Sequence, residues 1–166
     1  MKKISILTKK LNKKNIKQIC EIKNIHWKYG LKSQMNFFKK NIKNNDIHNM
    51  IFMDNKLIAY TALRNSNLIF NKIKIKYLRF DTLVIDKNYR GKGIAKIIMI
   101  LNNKIIKLKK KPALLTCKRN MIQFYSKYSW RTIKKNKIKV KNYKNKNFMI
   151  FNKNFRSNSI FYLNDF

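Results

Sequence analysis

Apolar and polar residues alternate with two different periods along this chain, and the switches between them mark its elements. Lys3 to Thr8 alternates with Ile4 and Ile6 on one face, which predicts a strand. From Asn12 to about Tyr29, Ile16, Ile19, Cys20, Lys23 and Trp27 recur at helical spacing, and Gly30 reads as the glycine ending that helix. Leu31 to Ile42 predicts a second helix, with Leu31, Met35, Phe38 and Ile42 in register. Ile47 to Met53 and Leu57 to Arg64 read as strands joined by a hairpin turn at Asp54-Asn55-Lys56. Asn65 to Asn71 is expected as a connection, and Ile73 to Asp86 as a long strand with room for a bulge.

A helix striped with isoleucine follows and ends near Leu108, and the Lys109-Lys110-Lys111-Pro112 break introduces a short buried strand from Ala113 to Cys117. Strand, helix and strand at this spacing imply a parallel pair with a right-handed crossover. Arg119 to Tyr128 predicts another helix, and Trp130 to Ile133 with Asn147 to Phe151 an antiparallel pair. Lys134 to Lys146 reads as a solvated, mobile lysine-rich loop, and the aromatic tail after residue 153 as a segment packing on the domain. The order β-α-α-β-β-β-α-β-α-β-β predicts an α/β (α+β) fold: a mixed sheet of about seven strands with helices on both faces. Residues 1–153 are expected to form one domain, with 154–166 as its tail.

Composition changes this picture little. The chain has 166 residues, 45% of them hydrophobic, enough for a folded core. Its apolar runs fall short of the roughly 18 residues that a membrane span needs. The start Met1-Lys2-Lys3-Ile4 resembles a signal n-region, but the apolar stretch stops at Thr8, so a cytoplasmic location without membrane attachment is expected. Cys20 and Cys117 lie far apart and match no metal spacing, so reduced core thiols and no metal are expected. The formal charge of +35 has two readings: compositional drift toward Lys, Asn and Ile, or affinity for a polyanion such as RNA. Drift leaves unexplained why Glu21 is the sole glutamate.

Candidate chemistry gathers where the long strand hands over to the long helix. Two of the three glycines, Gly91 and Gly93, sit there, and a glycine turn before a helix N-terminus is a phosphate-binding geometry. It is not a Walker A loop, because Ile94 follows Gly93 where that loop needs Lys. Nor is it a dinucleotide fingerprint, since Lys96 occupies the third glycine position.

Leu83-Val84-Ile85-Asp86-Lys87-Asn88-Tyr89-Arg90-Gly91-Lys92-Gly93-Ile94-Ala95 closely resembles the acetyl-CoA-binding motif of the GNAT superfamily of acetyltransferases, with Arg90, Gly93 and Ala95 on its marker positions. Phe124-Tyr125-Ser126-Lys127-Tyr128-Ser129-Trp130 resembles the second family motif, and the resemblance covers about residues 3 to 151. Ser129 stands where that motif has glycine, so the turn there is expected to be made differently. Lys118 replaces the family's asparagine, and Asn120 is expected to cap the helix instead.

The resemblance implies a splayed central parallel strand pair in a mostly antiparallel sheet. Leu83 and Ile85, around Val84, would offer main-chain hydrogen bonds to the pantetheine arm of acetyl-CoA. The N–H groups from Gly91 through Lys92, Gly93 and Ile94 to Ala95 would ring the pyrophosphate, with charge from Arg90 and Lys92. Tyr125 would be the proton donor to the departing thiolate. Asp81 shares strand parity with Leu83 and Ile85 and is the candidate base, its alternative being an ion pair with a lysine or Arg79. His26 and Trp27 fall where the family's acceptor-side residues lie; His48, the other histidine, is the weaker candidate. The implied activity is acetyl transfer from acetyl-CoA to a primary amine of a small molecule, such as an amino sugar. The alternatives are a protein or peptide amine near the ribosome, or a non-catalytic RNA-binding module. The assembly is open between monomer and homodimer.

Overall fold

A computed structural model describes residues 1–70, 73–140, 147–153 and 160–163. Nine strands and four α-helices are present among them: β1 (Lys2–Leu7), α1 (Lys13–His26), α2 (Leu31–Asn41), β2 (Ile47–Met53), β3 (Lys56–Phe70), β4 (Ile73–Ile85), α3 (Ile94–Leu108), β5 (Ala113–Cys117), α4 (Ile122–Ser126), β6 (Arg131–Ile133), β7 (Ile138–Val140), β8 (Asn147–Phe151) and β9 (Phe161–Leu163). The mixed α/β architecture is as expected, with seven strands on the path β1-β2-β3-β4-β5-β8-β6 and β7 and β9 beside it. Most pairs are antiparallel; β4 with β5 is parallel, as the crossover requires, and so is β7 with β9. Among the described residues no helix is long and apolar enough to cross a membrane.

The described chain divides into two compact units, Met1–Arg64 with Asp81–Asn102, and Asn65–Phe80 with Asn103–Phe166. In the first, alternate strand residues face two apolar clusters. Met50, Phe52, Tyr60, Ala62 and Val84 pack with Ile19, Cys20 and Ile22 of α1 and Phe38 of α2. Ile51, Ile58, Ala59, Leu83 and Ile85 pack with Ile94 and Ile98 of α3. Strand β2 is therefore buried on both faces, as a central strand must be. Asp54 and Asn55 both have positive φ (47° and 62°), which makes the β2–β3 turn the tight form whose twist matches a hairpin. A register shift lies in the β2–β3 pair, between Ile51 and Phe52.

Gly30 does not end the first helix. That helix stops at Trp27, and Gly30, at φ +84°, is the N-cap of α2, its carbonyl accepting from Gln34 N–H. Asn12 caps α1 through its side chain, which accepts from Asn15 N–H at 2.8 Å.

In the second unit, β3 does not stop at Arg64 but continues through Asn65, Ser66 and Asn67 to Phe70. Polar side chains do not end a strand whose backbone finds partners, and Ile69 and Phe70 pair with β9. That pairing places Phe161–Leu163 in the sheet, with Leu163 buried beside Leu68, Tyr77 and Leu114, and the rest of the expected tail, 154–159 and 164–166, lies outside the described residues. The expected lysine loop contains a 3₁₀ turn (Lys135–Lys137) and β7; its remainder, 141–146, lies outside the described residues. The expected helix over Arg119–Tyr128 is a 3₁₀ turn followed by the short α4, whose N-cap position is Met121 with no side-chain cap, so Asn120 does not cap it.

Candidate active site

The turn between β4 and α3 is built around Asp86, 4% exposed. Its N–H donates to Ile58 O (2.9 Å), one carboxylate oxygen accepts from Asn88 N–H (3.0 Å), and the other meets Lys56 Nζ at 2.7 Å. The Lys56 hydrogen bond holds this carboxyl below its usual range, against the opposing effect of burial. A 3₁₀ turn, Lys87–Tyr89, follows, and then Gly91 and Gly93, both at φ +75°. A Cβ on either glycine would meet nothing within 4 Å, so the backbone conformation, not crowding by protein, demands glycine. Gly93 O accepts from Ile97 N–H, which makes Gly93 the N-cap and leaves the first-turn N–H groups, Ile94 and Ala95 among them, without intrahelical acceptors. The first turn of α3 contains no acidic residue. Open space, left-handed glycines and a basic helix start fit a pyrophosphate, with Arg90 and Lys92 exposed at the turn.

Two details sharpen the expected roles. Arg90 Nε donates to Ile85 O (3.2 Å), so this arginine braces the end of β4 as well as carrying charge. Val84 is buried in the cluster with α1 and α2, so only its main chain is available to a ligand.

Against α1 and α2 lies a cavity of about 570 Å³, lined by Lys23, Trp27, Gln34, Phe37, Asp81 and Thr82, with Tyr29 and Ser33 at the α2 start. Gln34 Nε2 donates to Trp27 O (3.1 Å), locking the elbow between the two helices. Trp27 and Asp81 are thus brought to one cavity. His26 is not among its lining residues; it is exposed and meets Trp27 edge-on, ring centroids 4.4 Å apart. Asp81 opens onto this cavity with Thr82, whereas Leu83 and Ile85 pack toward α3, so strand parity does not put the three on one face. Its carboxylate lies 3.6 Å from Arg64 Nη1, and Arg64 Nε lies 3.8 Å from Asp46 and its terminal nitrogen donates to Asn41 O. Arg64 is thus an ion-pair partner of Asp81. Lys23 Nζ stands 4.8 Å from the Phe37 ring centroid, and burial pushes its pKa below the ordinary lysine value while Asp81 opposes that shift.

His48 is structural. Fully buried, its Nε2 is 2.8 Å from Thr8 Oγ1 and its Nδ1 2.8 Å from Tyr60 Oη, with Phe38 and Tyr60 stacked beside it. Burial lowers its pKa to about 4.

In the second unit, β4 and β5 pair at Leu78–Ala113 and Arg79–Leu114, while Leu115 to Cys117 pair with β8 on their other edge. Tyr125, 7% exposed, packs edge-on against Phe80 and Phe124 (centroids 6.0 and 5.0 Å) and near Trp130. Burial raises its pKa, which keeps the phenol protonated. Trp130 Nε1 donates to Asn103 Oδ1 (3.1 Å), and Asn103 Nδ2 donates to Tyr128 O (2.8 Å), fixing the segment after α4. Ser129 in that segment has φ +65°, so the turn is the one glycine would make, formed by serine instead.

Sequence reasoning missed Lys23, Gln34, Phe37 and Arg64 as site residues. Gln34 on the buried stripe of an amphipathic helix was the one readable signal, since a buried amide needs partners.

A family model described as an acetyltransferase (GNAT) domain matches residues 21–144. No curated protein matches in sequence. Among solved structures, an acyl-CoA N-acyltransferase from Pseudomonas aeruginosa is 12% identical, with 90% of this chain and 97% of that one covered and a TM-score of 0.68. The Bacillus subtilis N-acetyltransferase YlbP, in complex with coenzyme A, is 19% identical, with 90% and 95% covered and a TM-score of 0.58. An aminoglycoside 6'-N-acetyltransferase from Enterococcus faecium is 11% identical, with 89% and 94% covered and a TM-score of 0.63.

Proposed function

Because the chain belongs to the GNAT family of acetyltransferases, we propose that it moves the acetyl group of acetyl-CoA to the primary amine of a small molecule. The observation that carries this reading is the turn from Lys87 to Ala95, with two left-handed glycines, open space and a helix N-terminus behind it. Acetyl-CoA supplies an activated thioester. Main-chain groups of Leu83 and Ile85 hold its pantetheine arm, and the N–H groups of Gly91 to Ala95 hold its pyrophosphate, with Arg90 and Lys92 adding charge.

The neutral amine attacks the thioester carbonyl, a C–N bond forms, and the C–S bond breaks. The nitrogen's surplus proton passes to Asp81, directly or through water, and Tyr125 protonates the departing sulfur, the role its family motif implies. Burial keeps the phenol protonated before transfer, at the cost of making it a weaker acid. Trp27 walls the acceptor cavity.

The test follows free CoA thiol during turnover by Tyr125→Phe and Asp81→Asn proteins. Each is expected to lose about 10²- to 10⁴-fold in kcat while binding acetyl-CoA as the parent does. Unchanged turnover in both would remove these assignments. A salt-dependent RNA titration alongside decides whether the charge of +35 serves a polyanion.

A further inference from the structure

The acceptor cavity contains a cation that the transfer reaction does not use. Lys23 lines the cavity with its ammonium over the Phe37 ring, and among the described residues no carboxylate lies within ion-pair distance of it. The carboxylate of the cavity, Asp81, is engaged by Arg64. A half-buried ammonium whose lost water is only partly offset by the more distant Asp81 is under-solvated, and an incoming anion repairs that deficit.

Resting on the transferase reading, we propose that the acceptor carries a carboxylate as well as its amine, on an aromatic or apolar body. Lys23 takes the carboxylate, Asp81 faces the amine, and Trp27 and Phe37 flank the body. The cavity of about 570 Å³ is of the size that encloses a small organic ligand. A polycationic amino sugar fits poorly, because each further ammonium meets Lys23 as a like charge.

The test compares phenylalanine, phenethylamine and tobramycin on the full chain, by calorimetric binding in the presence of CoA and by acetyl transfer. Phenylalanine is expected to exceed phenethylamine about tenfold to a hundredfold in affinity and in kcat/KM, the worth of one charge-assisted hydrogen bond, with tobramycin weakest. Lys23→Met should collapse that ratio toward one, and Lys23→Arg should retain it. Equal or better binding of phenethylamine or tobramycin by the unmodified protein overturns the proposal, whatever the variants do. Transfer to phenethylamine but not phenylalanine likewise overturns it and leaves the transferase reading intact. Lys23-dependent binding of phenylalanine with no amine acetylated upholds the anion site and removes the transferase reading.

Discussion

Gly93 is the residue at which conformation and ligand binding are most cleanly separable. At φ +75° with no neighbour within 4 Å of a built Cβ, an added side chain strains the backbone without striking protein. A non-glycine residue in that region costs about 1 to 2 kcal/mol. For a chain of this length, Gly93→Ala should therefore lower Tm by about 2 to 8 °C and leave the protein folded. Gly93→Glu carries the same strain, offset by about 0.3 to 1 kcal/mol because a carboxylate at a helix N-terminus suits the dipole. Toward a pyrophosphate the two differ sharply. The glutamate places negative charge among the N–H groups assigned to the pyrophosphate, so acetyl-CoA affinity should fall at least about a hundredfold, against about tenfold or less for alanine. Gly30→Ala is the control: it shares the positive φ and the open surroundings, but caps α2, and should cost similar stability with CoA affinity unchanged. Calorimetric titration with CoA, paired with thermal denaturation, reads both quantities. A folded Gly93→Glu protein that binds acetyl-CoA like the parent refutes the phosphate-turn assignment.

Two further outcomes follow from side chains away from the cofactor. His48 is neutral in the fold with a pKa near 4, so above pH 6.5 it is neutral in both states and contributes no pH dependence. Below 6.5 the unfolded chain takes the proton first, and stability should fall by up to about 3 kcal/mol by pH 4, a slope that His48→Gln flattens in denaturant titrations. Ser129→Gly relieves a left-handed serine at φ +65° and should stabilise by about 0.5 to 1 kcal/mol, read as a rise in Tm. Loss of stability there would mean the serine side chain holds the turn.

Much of the first unit was legible because periodicity and turn chemistry agreed: Asp54-Asn55 made the hairpin, and the isoleucine stripe of α3 and the glycine pair before it fell where expected. The errors have physical causes. Gly30 looked like the end of one helix and is the start of the next, because a positive-φ residue between adjacent helices serves either. Asn65 to Asn67 looked like a loop because their side chains are polar, yet β3 runs through them to Ile69 and Phe70, which pair with Tyr162 and Phe161 from nearly a hundred residues away. The glycine turn before α3 is local in sequence, so its backbone was readable. The acceptor cavity is assembled from α1, α2 and β4, and the pairing of Asp81 with Arg64 crosses from β4 to β3, so no spacing rule could reveal it.

Acetyl transfer from acetyl-CoA to an amine is tested by incubating the protein with isotopically labelled acetyl-CoA and an amine panel, then identifying products by mass spectrometry. A labelled N-acetyl product should form in step with free CoA thiol and be lost in Gly93→Glu. Acetyl-CoA binding with no labelled amine from any acceptor, small molecule or peptide, would contradict it.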